Sequence, residues 1–123
     1  MSNTRVLIVD DIFSNRLLLA SAIESMGFTH NEAANGKKAI ELIQSIHFDI
    51  IFMDIEMPVM NGIETTKFIR RNLLAPLNQI PIIGLTAHNL AEFEENFDDA
   101  GFSELITKPY SVEKLISIIQ KFV

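Results

Sequence analysis

Asp10, Asp11 and Asp54 are carboxylates, Thr86 carries a hydroxyl and Lys108 an ammonium, and each group follows a short apolar run. Val6-Leu7-Ile8-Val9 leads into Asp10-Asp11, and Ile50-Ile51-Phe52-Met53 into Asp54. Ile82-Ile83-Gly84-Leu85 leads into Thr86, and Leu105-Ile106-Thr107 into Lys108. Carboxylates held close together raise one another's pKa unless a cation offsets them. A divalent ion is the simplest offset, and a donor set of oxygens alone favours Mg²⁺ over Zn²⁺. Mg²⁺ usually keeps waters and a phosphate partner, so the expected chemistry concerns phosphate. Three carboxylates, one Mg²⁺ and the Lys108 ammonium then sum to roughly zero charge, and a carboxylate in that setting is able to attack phosphorus.

For those groups to meet, the runs that precede them must lie side by side. Apolar runs of this length without polar alternation fit parallel strands covered on both faces. Open α/β sheets place their sites beyond the carboxyl ends of such strands. Five strands are expected: Arg5–Val9, Thr29–Ala33, Ile50–Met53, Ile82–Leu85 and Glu104–Thr107. The second is polar at His30-Asn31-Glu32 and suits an edge.

Amphipathic stretches fill the intervals. Leu18, Leu19, Ala22, Ile23 and Met26 share a helical face that ends at Gly27. Asn35-Gly36 opens a second stripe (Ala39, Ile40, Ile43, Ile46), and Asn61-Gly62 a third (Ile63, Thr66, Ile69). Leu90, Phe93, Phe97 and Ala100 make a fourth, stopped by Gly101. Val112, Leu115, Ile116, Ile119 and Phe122 make a fifth, with Ser111 as its cap. Strand and helix alternating at this spacing imply right-handed crossovers and a parallel sheet. The expected fold is α/β: one doubly wound (βα)5 flavodoxin-like domain over residues 1–123, strand order 2-1-3-4-5. Asn72–Pro81, broken by Pro76 and Pro81, is expected to carry the least regular structure.

Size and charge narrow the function further. The 123 residues suffice for one domain with a real core. A formal net charge of −6 argues against nucleic-acid binding. No apolar stretch approaches the ~20 residues of a membrane helix. Met1–Arg5 lacks the marks of a signal peptide, so a cytoplasmic location is expected.

Taken together, Val9-Asp10-Asp11, Met53-Asp54-Ile55-Glu56-Met57-Pro58 with Asn61-Gly62, Leu85-Thr86-Ala87 and Thr107-Lys108-Pro109 make the chain resemble a receiver domain of the two-component response-regulator family. The resemblance covers essentially the whole chain. It implies that Asp54 is the phosphoacceptor, charged from a phosphohistidine on a histidine kinase or histidine phosphotransfer protein. It implies Mg²⁺ held by Asp11 directly, by Asp10 usually through water, by Asp54 and by the backbone carbonyl of Glu56. Thr86, with Ala87 after it, matches the switch hydroxyl, and Lys108 the phosphate-binding ammonium. The Lys108–Pro109 bond is expected to be cis. The family often has an aromatic three residues before the lysine, where this chain has Leu105. Tyr110 projects from a different part of the loop and is not a simple substitute.

Smaller features are weighed beside this. His88 and Glu56 are candidates for setting the lifetime of a phosphorylated state. Glu92, Glu94, Glu95, Asp98 and Asp99 make an acidic face, ordinarily solvated, that would suit a basic partner. Arg70-Arg71 reads as a helix C-terminus, and Met26, Met53, Met57 and Met60 as gap fillers. The leading function is a phosphorylation-controlled signalling module that is not a turnover enzyme and acts on an unknown downstream protein. Alternatives are an aspartyl-phosphate phosphohydrolase akin to haloacid dehalogenases, or a scaffold that has lost the chemistry. Within the leading class the chain reads as a stand-alone receiver, or equally as one cut from a hybrid histidine kinase.

Overall fold

The computed structural model describes residues 3–87 and 99–123. Five parallel strands form one sheet: β1 Arg5–Val9, β2 Thr29–Ala33, β3 Ile50–Asp54, β4 Ile82–Thr86 and β5 Glu104–Thr107. Their order is β2-β1-β3-β4-β5, with β2 at an edge as its polar sequence requires. Among the described residues the helices are α1 Phe13–Ser25, α2 Gly36–Ser45, α3 Gly62–Asn72 and α4 Val112–Phe122. The stripe Leu90, Phe93, Phe97 lies outside the described residues; Ala100, at its end, is buried.

The apolar runs of β1, β3 and β4 are continuous because these strands are covered on both faces. Val6, Ile8, Ile50, Phe52, Ile83 and Leu85 pack with α1 and α4 through Leu19, Ile23, Leu115 and Ile119. Leu7, Val9, Ile51, Met53 and Ile82 face the other way, toward Ala39 and Ile43 of α2 and Ile69 of α3. Successive side chains of a strand point to opposite faces, so two half-cores are built from the same few residues.

Capping places the helices. Asn35 Oδ1 accepts from the Lys38 N–H at 2.8 Å, and Ser111 Oγ from the Lys114 N–H at 3.1 Å. Asn61 caps α3 reciprocally: its side chain accepts from the Glu64 N–H while Glu64 accepts from the Asn61 N–H. Gly27 takes a φ of +82° just past α1, a conformation open to glycine at little cost.

On three helices the inward face differs from the sequence reading. Leu18 is exposed and Ala20 is buried in its place. Leu17, Leu18 and Leu19 are consecutive, so an apolar stripe alone does not choose which turns inward. On α3, Ile63 is only half-buried, whereas Thr65 is fully buried and donates its hydroxyl to the Asn61 carbonyl at 2.8 Å. On α4, Val112 is exposed and Ile118 buried.

Asn72–Pro81 holds one 3-10 turn, at Leu77–Gln79. Its anchor is Arg70, read from sequence as a helix-end charge. Arg70 Nη1 donates to the Asn78 carbonyl at 2.9 Å and Nε to the Gly101 carbonyl at 2.9 Å. Arg70 thus stitches α3 to the approaches of both β4 and β5. Both Lys108–Pro109, as expected, and Ala75–Pro76 are cis.

Candidate phosphoryl-transfer site

Strand register gathers the chemistry. Val9 pairs with Met53, so Asp10 and Asp54 leave neighbouring strands at the same level. Asp54 pairs with Leu85, and Thr86 with Thr107, which brings Thr86 and Lys108 to the same rim. The Lys108 N–H donates to the Thr86 carbonyl at 2.7 Å, closing the β5 side of the cleft.

Asp10, Asp11 and Asp54 each present a carboxylate oxygen, all within 4.8 Å of one another. Asp10 and Asp54 are buried, while Asp11 is exposed. Lys108 Nζ lies 3.2 Å from Asp54 Oδ1 and 3.8 Å from Asp10 Oδ2. One ammonium against three acids leaves a net negative cleft. Burial, and next the charge of Asp10, hold the Asp54 carboxyl above its usual range, against the lowering pull of Lys108 and the Glu56 backbone N–H.

The donor set fits a hard divalent cation. Asp10 Oδ1 accepts from the Ile12 N–H at 2.9 Å, which leaves Oδ2 buried without a hydrogen bond. An orphaned carboxylate oxygen in an all-oxygen cluster is costly as it stands and well used as a ligand.

Most of the residues picked out from sequence converge here: Asp10, Asp11, Asp54, Thr86 and Lys108 share the rim, and Ala87 follows at the exposed end of β4. Glu56 sits in the loop after β3 with its side chain exposed. His88, with Glu92, Glu94, Glu95 and Asp98, lies outside the described residues. Leu105 stays on β5, half-buried, packed over Gly84 so closely that a Cβ there would come within 2.5 Å of Leu105 Cδ2.

Two further contributors are Tyr110, weighed from sequence only as a substitute for the missing aromatic, and Arg16, which sequence reading missed. Tyr110 lines a cavity of about 210 Å³ with Asn15, Leu18, Lys108 and Pro109. It also lines a second, of about 480 Å³, with Leu105, Ile106, Thr107 and Lys114. Its phenol is pushed up to about 12 by burial first, then by the charges of Asp10 and Asp54, so it stands within electrostatic reach of the acids. Arg16, in the first turns of α1, donates to the Asp10 carbonyl at 2.7 Å. The Arg16 contact does not follow from residue spacing, because its partner is a backbone atom.

Comparison with known proteins agrees with this geometry. The family model described as the response regulator receiver domain matches residues 6–120. The chain is 33% identical to the polar-differentiation response regulator DivK of Brucella ovis over 117 residues, covering 95% of this chain and 94% of DivK. It is 32% identical to hybrid signal transduction histidine kinase K of Dictyostelium discoideum, covering 94% of this chain but 10% of that protein. The chain therefore spans only a small part of that kinase and nearly all of DivK. Among solved structures, it is similar to the receiver domain of a sensor histidine kinase from Pseudomonas aeruginosa PAO1, with 29% identity and a TM-score of 0.87, covering 98% of each chain. That crystal structure holds a magnesium ion in its active-site cleft. No helix among the described residues is long and apolar enough to cross a membrane. A cleft of this build, on a sheet of this order and with these relatives, makes the chain a member of the response regulator receiver domain family of two-component signalling.

Proposed function

We propose that residues 1–123 act as one receiver domain in which Asp54 accepts a phosphoryl group from a phosphohistidine on a histidine kinase or histidine phosphotransfer protein. An Asp54 carboxylate oxygen attacks phosphorus as the phosphorus–nitrogen bond to histidine breaks, leaving an acyl phosphate on Asp54. Asp10, Asp11, Asp54 and the backbone carbonyl of Glu56 would hold Mg²⁺, which when bound supplies positive charge to the transferring oxygens. Lys108 pairs with an oxygen of the incoming group, and Thr86, followed by Ala87, offers its hydroxyl to another. Asp54 gains about −2 of charge in place of −1, which biases the loops after β4 and β5 and changes the surface offered to a downstream protein. The domain modifies only itself, with Glu56 and His88 as the candidate residues for tuning how long the modification lasts.

The observation that carries this reading is the ammonium of Lys108 at 3.2 Å from Asp54 Oδ1 inside the triad of acids. The rim supports a protein donor over a small phosphate ester. Ile12, Phe13, Leu17 and Leu18 are exposed along the start of α1 beside the acidic turn, and an apolar rim of this kind suits contact with another protein. A cytoplasmic setting belongs to the same reading, since phosphohistidine is made there from ATP.

The test is phosphorylation of the purified chain by acetyl phosphate and by a phosphorylated histidine kinase, followed by intact mass. One phosphoryl group is expected with Mg²⁺ present, none after chelation, and none on Asp54→Asn. Labelling of Asp54→Asn at the wild-type rate rejects the acceptor assignment.

A further inference from the structure

We propose that Arg16 is a positioning residue for the acidic site, clamping the turn that carries Asp10 and Asp11 to the edge strand β2. Its guanidinium works in two directions. Nη1 donates to the Asp10 carbonyl at 2.7 Å, and Nε to Glu32 Oε1 at 3.1 Å. The side chain is only 15% exposed and lies over the Phe13 ring, 5.6 Å from its centroid. Glu32 is itself held: its Oε2 lies 3.5 Å from His30 Nε2, and His30 Nδ1 lies 3.7 Å from Glu24 Oε1. The Asp10 N–H meanwhile donates to the Ala33 carbonyl at 3.1 Å.

These contacts fix both backbone groups of Asp10. With Oδ1 bound to the Ile12 N–H, the carboxylate plane is set too, and Oδ2 is the oxygen left facing Lys108 and the cleft. Arg16 does not reach the cleft itself; it decides where Asp10 and Asp11 aim. A cation in the first turns of a helix opposes the helix dipole, and one beside a divalent-ion site repels the ion. Arginine alone offers a planar fork able to bond a carbonyl and a carboxylate at once.

The inference rests on the reading that the three acids hold Mg²⁺, and it makes a prediction opposite in sign to simple charge repulsion. If Arg16 were only a nearby charge, removing it would tighten Mg²⁺ binding. If it is a clamp, Arg16→Met weakens binding by about tenfold, as loss of outer-shell support typically does, and Arg16→Lys weakens it with no change of charge. Glu32→Gln keeps an oxygen for Nε and loses less.

The experiment titrates the full chain with Mg²⁺ and follows Tyr110 fluorescence, clean because the chain has one tyrosine and no tryptophan. Urea midpoints and hydrogen exchange of the Ile12 amide are measured on the same variants. Weaker Mg²⁺ affinity in folded Arg16→Lys, with faster Ile12 exchange and unchanged core exchange, supports the clamp. Wild-type affinity and wild-type Ile12 exchange in Arg16→Lys, or tighter binding in Arg16→Met, overturns it. A purely structural role lowers the urea midpoint and leaves the affinity of the folded protein untouched, which also overturns it. A wild-type chain that binds no Mg²⁺ defeats the metal reading first, while Ile12 exchange still judges the clamp on the turn.

Discussion

Gly62 lies directly against the backbone of Asp54. A Cβ built on Gly62 would overlap the Asp54 carbonyl oxygen and come within 2.8 Å of Ile55 Cα. The Gly62 N–H also donates to the Ile55 carbonyl at 2.9 Å. The start of α3 is therefore docked onto the residue that bears the acceptor carboxylate, and backbone has nowhere to yield cheaply. Gly62→Ala is expected to cost about 1–3 kcal/mol, the range for overpacking a tight site. Urea unfolding measures that loss, and the phosphorylation rate of the folded fraction should fall as well because Asp54 moves with its backbone. A Gly62→Ala protein as stable as wild type would show that the loop from Asp54 to Asn61 absorbs the methyl.

How far such relationships are legible in the sequence depends on whether both partners leave a mark on it. Asp10, Asp54, Thr86 and Lys108 do, because each ends an apolar run and parallel register brings run ends to a common rim. The capping signals at Asn35, Asn61 and Ser111 are equally local. Leu18 and Val112 belong to apolar stripes yet are exposed, because a stripe does not distinguish a core face from an exposed rim. Thr65 escapes hydrophobic patterning because its burial goes with a hydroxyl bond to the Asn61 carbonyl. Arg16 and Arg70 bond backbone carbonyls outside their own helices, and a carbonyl has no sequence signature.

Arg70 shows what such a hidden anchor is worth. Two charged-donor bonds, to Gly101 and Asn78, tie α3 to segments on either side of β4. A bond from a charged donor contributes about 1.5–3 kcal/mol, and truncation also leaves two part-buried carbonyls without this donor. Arg70→Met should destabilise the chain by about 3 kcal/mol, and Arg70→Lys, with one point donor in place of a fork, by less. Equal urea midpoints for wild type and Arg70→Met would show that water replaces both bonds.

The raised pKa of Asp54 makes stability fall with rising pH over a defined window. Between its ordinary value of 3.8 and its raised folded value, the folded chain holds a proton that the unfolded chain has released. Raising pH through that window destabilises the fold, and the penalty persists at neutral pH when no metal is bound. Asp54→Asn removes the penalty, so in chelator at neutral pH it should be more stable than wild type. The difference should shrink on acidification toward 3.8 and shrink again when Mg²⁺ is added to wild type. Urea unfolding at several pH values reads all three effects; a destabilised Asp54→Asn in chelator contradicts them.

Tyr110 offers the most direct view of the cleft's charge. Its phenol is held at about 12, against 10.0 for a free tyrosine, by burial and then by Asp10 and Asp54. Between those values the unfolded chain loses the phenolic proton while the folded chain keeps it, so Tyr110 lowers stability as pH rises from 10.0 toward 12. Ultraviolet titration of this single tyrosine should give a midpoint near 12 in the native protein and near 10.0 in urea. Neutralising one of the two acids with Asp10→Asn should lower the native midpoint without reaching the free value, because burial is the larger cause. A midpoint unchanged by Asp10→Asn would place the phenol out of reach of the acids, and then Tyr110, though it walls both cavities, would not sense what happens on Asp54.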